Sequence, residues 1–341
     1  MKKLLCILLV FALAVPFLAA CSTPAANNNE NDNSNGDEVK FDANLKINVS
    51  VLSGTTGMGM AKLIDDKKDG AAALNYNFSV VADATAVAPL IISGQADIAA
   101  VPTNLASTLY KRTDGGIYIL AINTLGVLYL LENGETVNTI ADLKGKTVYL
   151  PGTGTNPEYI LKQVIEANDL KVGTDVIFDY TYGTPDALAQ AVTGGLAGIA
   201  LLPEPKVTVV MSNNSAIRTA LDITEEWDKV NPTGSLAQGC VIVRKAFADE
   251  HPAEIAKFLE EYKASVNFVN ASKEEAAQLI ADAGIIPKAP LALKAIPNCN
   301  ITYVDGEAMK TALTAFYNIL FKVNPAAVGG AVPDAAIYYV K

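Results

Sequence analysis

A single histidine, His251, stands in 341 residues. Zinc sites built on several imidazoles, and di-iron sites built on Glu-x-x-His, need more of them than that. A Ser-His-Asp hydrolase would have to draw on Asp249-Glu250-His251-Pro252, where His251 reads as a surface residue ahead of a helix opened by Pro252. Arginine is nearly as scarce, at Arg112, Arg218 and Arg244 alone. With 26 Lys and Arg against 36 Asp and Glu, the net charge is −10, and the clustered basic surface that nucleic acid requires is missing. The one tryptophan, Trp227, falls in a helical stretch, which leaves ring stacking to tyrosines such as Tyr159 and Tyr182. Nucleotide cradles are absent as well. Gly57-x-Gly59 and Gly152-x-Gly154 lack the third glycine of the dinucleotide fingerprint, and no Gly-Lys-Ser/Thr phosphate loop occurs. No metal and no cofactor is therefore expected.

What is present suits a folded extracytoplasmic protein. Half of the residues are apolar and 18% are charged, and the length fits two domains better than one. Lys2 and Lys3 precede an apolar run, Leu4 to Ala20, broken by Pro16 and ending in Leu18-Ala19-Ala20-Cys21. A basic start, an apolar stretch and small residues read as an export signal over 1–20. The cysteine directly after them makes the segment resemble a bacterial lipobox, which implies lipidation of Cys21 and attachment to the membrane through it. Removal of the signal takes away two lysines and no acid, which moves the net charge to −12. The Asn-rich stretch that follows buries almost nothing and reads as a tether over 21–41. Cys240 and Cys299 remain in the body, and the sequence leaves their pairing open.

From Leu45 onward short apolar strands alternate with helical patterns, the signature of an α/β protein with largely parallel sheets. The pattern restarts near Val127 and gives way to helices over Pro252–Asn270, Lys273–Ala283 and Gly306–Val323, each with an apolar stripe. Two lobes follow, one from 42–125 with 245–341 and one from 126–244, with crossings near Asn123–Gly126 and Arg244–Phe247.

Three loops share one design: a strand end, a run of small polar residues, and a helix start. They hold Ser53, Thr55 and Thr56; Thr103 and Asn104; and Thr153, Gly154 and Thr155. Helix starts offer free N–H groups, and in open α/β sheets ligands lie beyond the carboxyl ends of strands. The same residue types also cap helices without binding anything. Glu204, between Pro203 and Pro205, is rigidly placed at a strand end, suited to an amine or ring N–H or to a plain helix-start role.

Taken in order, these features resemble a solute-binding lipoprotein of an ABC importer, in the nitrate/sulfonate/taurine and thiamine-precursor-like group. Ser93-Gly94-Gln95-Ala96-Asp97-Ile98-Ala99 is similar to that group's Gly-x-x-Asp strand entry. Ala141-Asp142-Leu143-Lys144-Gly145-Lys146 resembles its opening to the second lobe, Glu204-Pro205 its recurrent Glu-Pro, and His251-Pro252-Ala253-Glu254 its C-terminal segment. The resemblance implies a type II periplasmic-binding-protein flytrap: a monomer that closes on a small solute and hands it to an ABC permease and its ATPase, with no reaction catalysed. It also implies that Ser53, Thr55, Thr56, Thr103, Asn104, Thr153, Gly154, Thr155 and Glu204 line the cleft, around a sulfonate- or nitrate-like anion or a vitamin-precursor-like heterocycle. A TRAP-type solute receptor, a ligand-loaded sensor and an enzyme on the same fold are the alternatives.

Overall fold

A computed structural model describes residues 40–232 and 235–340. The signal over 1–20, Cys21 and all of the tether up to residue 39 lie outside the described residues. Phe41, placed by sequence at the end of the tether, already packs against the core. Among the described residues no helix is long and apolar enough to cross a membrane.

The first half of the chain runs β1 (Lys46–Leu52), α1 (Thr55–Met58), α2 (Ala61–Asp69), β2 (Asn75–Val81), α3 (Val87–Ile92), β3 (Ile98–Pro102), α4 (Thr103–Arg112) and β4 (Ile117–Thr124). The second sheet begins with β5 (Leu128–Asn133), then β6 (Lys146–Tyr149), α5 (Asn156–Ala167), β7 (Val176–Asp179), α6 (Pro185–Thr193), β8 (Ile199–Pro203), α7 (Lys206–Asn213), β9 (Ile217–Asp222) and α8 (Ile223–Val230). The rest is β10 (Gly239–Arg244), α9 (Lys245–Glu250), α10 (Pro252–Ala271), α11 (Lys273–Asp282), α12 (Ala289–Ala295), β11 (Ile301–Val304) and α13 (Gly306–Val323). Local chemistry sets many of these ends. Asp222 caps α8 through the Thr224 N–H at 2.7 Å, and Thr184 caps α6 ahead of Pro185. Gly70, left-handed at φ 75°, ends α2 just past Lys67 and Lys68.

One sheet has the order β11-β4-β10-β3-β1-β2 and the other β7-β6-β8-β5-β9. The pairs of β1 with β2 and β3, and of β6 with β7 and β8, are parallel, as the alternation of strand and helix predicts. The strands on which the chain enters each sheet after a crossing, β5 and β10, run antiparallel to both of their neighbours. This arrangement corrects one sequence-based boundary. Cys240–Arg244, assigned by sequence to the end of the second lobe, lies in the first sheet between β3 and β4, so the return crossing comes before β10 rather than at Arg244–Phe247. Gly239 pairs with Pro102 and with Thr124, so the chain leaves the first sheet at the end of β4 and re-enters at the start of β10 right beside it. Outward and return connections are thus neighbours, the geometry of a hinge.

Helices α10 and α11 cover one face of the first sheet, with Ile255, Phe258, Tyr262 and Val266 buried as their spacing predicts. The opposite face continues without a break into the second lobe. Val101, Ile119 and Cys240 share one apolar cluster with Leu161 and Ile165 of α5, Trp227 of α8 and Phe316 of α13. Cys299 belongs to the cluster on the other face, and both cysteines are free and buried.

Candidate functional site

The ends of β1, β3, β6 and β8 all point to the seam between the sheets, and the loops and first helical turns after them hold every sequence-predicted site residue, with Thr55 and Thr56 in α1 and Thr103 and Asn104 in α4 rather than in loops. After β1, the Ser53 hydroxyl donates to the Ile285 carbonyl at 2.9 Å, and its N–H to Val81 O at 2.8 Å. Thr55 and Thr56 are buried, and the Thr56 carbonyl accepts from Asn123 Nδ2 at 3.0 Å. Gly57 is required by close approach: a Cβ there would stand 2.1 Å from the Leu52 carbonyl oxygen. Across the seam, Pro205 lies 4.0 Å from where a Cβ on Gly54 would be.

After β3, Thr103 is fully buried and fully engaged. Its hydroxyl donates to Ala237 O at 2.8 Å and accepts from Asn156 Nδ2 at 3.1 Å, while its carbonyl accepts from the Tyr317 hydroxyl at 2.8 Å. Thr103 therefore ties α4 to the start of α5 in the other lobe. Asn104 is half-buried, and its carbonyl takes the Thr108 hydroxyl at 3.0 Å.

After β6, Thr153 and Gly154 are exposed and Thr155 is half-buried, its hydroxyl on Gly152 O at 3.2 Å. Gly154 needs its residue type, since it turns at φ 71° into α5. Its N–H donates to Glu158 Oε2 at 2.5 Å, and the Tyr180 hydroxyl donates to Glu158 Oε1 at 2.8 Å.

After β8, Glu204 is 2% exposed. It accepts the Thr208 N–H at 3.1 Å and the Thr208 hydroxyl at 3.0 Å, the helix-start role at α7. It also meets Asn298 Nδ2 of the first lobe at 3.5 Å, and Asn298 O in turn takes the Tyr129 hydroxyl at 3.4 Å. Burial pushes the Glu204 carboxyl above the usual range, outweighing the bonds from Thr208 and Asn298 that pull it down. The buried Cys299 thiol is raised by burial first and then by Glu204.

Of the residues that close the seam from both sides, Asn156 ends the small-residue loop singled out after β6, while Gln238 and Asn298 escape sequence reasoning. Gln238 Oε1 accepts the Val127 N–H at 2.7 Å, and its carbonyl takes Asn156 Nδ2 at 3.3 Å. Gln238 and Asn298 act through partners in remote segments and carry no local pattern. The scarce cations are spent elsewhere. Arg218 pairs with Glu132 at 2.7 Å, Arg244 with Asp97 at 2.5 Å, and Arg112 lies in the last turn of α4. Lys206, two residues after Glu204, is engaged with Asp186. His251 packs its ring on Phe247 between α9 and α10. Among the described residues no group of three or more His, Cys, Asp or Glu could hold a metal ion.

Two mixed sheets joined by adjacent hinge strands, with strand-end loops facing each other across the seam, define a two-lobed periplasmic-binding fold. Solved structures share it. An ABC transporter protein from Parabacteroides distasonis is 24% identical over 88% of this chain and 100% of its own, with TM-score 0.73. The periplasmic aliphatic sulphonate binding protein SsuA from Escherichia coli is 17% identical over 86% of this chain and 92% of its own, with TM-score 0.68. The periplasmic nitrate-binding protein NrtA from Synechocystis PCC 6803 is 13% identical over 69% and 65%, with TM-score 0.51. No curated protein matches the chain. Residues 72–290 match the family described as ABC transporter, phosphonate, periplasmic substrate-binding protein, so the chain belongs to that family. It is the substrate-binding component of an ABC importer of small molecules; the family is one of binding proteins rather than enzymes.

Proposed function

We propose that the protein is a lipid-anchored receptor, held to the outer face of the membrane through Cys21, that captures one small polar solute at the seam and presents it, closed, to an ABC permease. Glu204 carries this reading. A carboxylate at the end of β8, buried against Asn298 of the facing lobe, is costly unless something at the seam uses it. A ligand touching both lobes favours the closed form by its differential affinity alone, so no bond has to be made or broken. The sulfonate- or nitrate-like anions and the vitamin-precursor-like heterocycles remain the two solute classes of this reading. The lobes are 42–125 with 239–341, and 126–238, once β10 is placed with its sheet.

Glu204→Gln separates function from stability. Because burial raises the folded-state value, the carboxyl binds its proton more tightly in the folded protein than in the unfolded chain. Any stability from this group is complete below the unfolded value, about pH 4.3, and is lost as pH rises through the folded value. The variant should therefore melt above the wild type at pH 7, with the gap shrinking toward pH 4. At pH 7 it should bind an amine- or ring N–H-bearing solute at least tenfold more weakly and leave a plain anion unaffected. Thermal melts at both pH values and calorimetric titration read the two effects. Equal affinity for an amine-bearing solute before and after the change removes Glu204 from the site.

A further inference from the structure

The start of α5 faces the other lobe, because Asn156 Nδ2 reaches Thr103 Oγ1 there, beside its second contact at Gln238 O. In a twelve-residue helix this end would ordinarily receive an oxyanion on its free N–H groups. Here the protein's own carboxylate is already in place. Glu158 takes the Gly154 N–H at 2.5 Å on one oxygen and the Tyr180 hydroxyl at 2.8 Å on the other. An acid group arriving at this loop would lose that N–H and meet a like charge.

A second observation points the same way. Asn156 is 4% exposed, and its Oδ1 is buried with no hydrogen-bond partner. Its amide orientation is fixed, because Gln238 O is a carbonyl and only the nitrogen can face it. A buried acceptor without a donor is the kind of exception that a bound N–H or O–H removes. Glu204, at the neighbouring strand end, is likewise an acceptor. The arginines that would balance an anion, Arg218 and Arg244, are engaged with Glu132 and Asp97.

We propose that Glu158 keeps acid groups out of the cleft, so that the solute is a nitrogen compound, neutral or cationic, whose N–H groups are received by Asn156 Oδ1 and Glu204. The proposal rests on the solute-binding reading above and narrows its two solute classes to the donor-bearing one. It sets this chain apart from the phosphonate named in its family's description and from the anions named for its sulphonate- and nitrate-binding structural relatives.

The test compares the wild type with Glu158→Gln, and with Glu158→Ala as a second variant against a folding defect peculiar to one side chain. Each is melted at pH 7.5 with methylphosphonate, methanesulfonate, 4-aminopyrimidine and ethanolamine, and methylphosphonate affinity is measured by calorimetry. The wild type should respond to a donor-bearing probe and not to the two oxyanions. Glu158→Gln or Glu158→Ala should gain methylphosphonate affinity at least tenfold, and that gain decides the matter. Methylphosphonate binding by the wild type with no gain in either variant overturns the proposal and leaves the solute-binding reading standing. If none of the four probes stabilises any of the three proteins, both fail.

Discussion

Trp227→Ala should lower the unfolding free energy by about 3–5 kcal/mol, the usual loss when a large buried aromatic is cut to a methyl group. Trp227 is fully buried on α8, its ring 5.6 Å from that of Phe316 on α13 and tilted by 55°. The cluster around it runs from Ile119 and Cys240 in the first sheet to Leu161 and Ile165 on α5. The cavity thus opens where the two lobes share a core, and few neighbours can move in without shifting a helix. Urea unfolding followed by circular dichroism reads the loss, since the only tryptophan is gone from the variant. A loss under about 1 kcal/mol, the scale of an ordinary surface change, contradicts a continuous core between the lobes.

Asp97→Ala should cost a similar amount, about 3–5 kcal/mol, because it leaves a partly buried guanidinium without its counter-charge. The Asp97 carboxylate accepts from Arg244 Nη2 at 2.5 Å, the Asn48 N–H at 2.9 Å and Asn48 Nδ2 at 3.2 Å. Through these bonds it ties β1, β3 and β10 together at one end of the sheet. The glycine of the same motif has its own reason: Gly94 turns at φ 73°, the left-handed region, beside the Arg244 guanidinium. The double change Asp97→Ala with Arg244→Met should recover part of the loss, since it removes both charges. No recovery in denaturant titrations would mean that the Asn48 bonds, and not the ion pair, carry the effect. Glu132 and Arg218 form a comparable pair in the second lobe. Burial would raise the Glu132 carboxyl, but bonds from Thr136, Val137 and Arg218 prevail and hold it below the usual range.

Much of this fold is legible in the sequence because its inner strands are rich in apolar residues, on both faces in β3 and β8 and by alternation in β1. β1, β3, β4 and β8 stand out as short runs bounded by polar turns, and the long helices α10 and α13 by their stripes. Failures occur where the local signal conflicts with the tertiary setting. Lys206–Asn213 is not among them: despite its β-branched residues it forms α7, as the helix-start role open to Glu204 allows, with Glu204 holding its first turn through Thr208 and Val207 and Val210 buried. β9, Ile217–Asp222, is a half-buried edge strand without clean alternation. β10 is read correctly as a strand and misplaced between lobes, because nothing in Cys240-Val241-Ile242-Val243 says which sheet it joins.

The site divides in the same way. Small polar residues at strand ends locate the loops, but what each hydroxyl does depends on distant partners. Ser53 is engaged with Ile285 and Thr103 with Ala237 and Asn156, contacts that no spacing rule reaches. Glu158 is missed for a different reason: an acid in the first turn of a helix reads as routine dipole complementation until Gly154 and Tyr180 are seen to hold it at the loop.

The central claim is that a small solute binds between the lobes, and a thermal-shift screen of ligand-stripped protein tests it most directly. The panel holds oxyanions, sulfonates, pyrimidines, vitamins and amines. A solute at about a hundred times its Kd adds about 2.7 kcal/mol to the folded state. The account predicts that one chemical class raises the melting temperature by several degrees and that Glu204→Gln diminishes the rise. No rise with any class contradicts it, while an equal rise in the variant with an amine- or ring N–H-bearing solute removes Glu204 from the site.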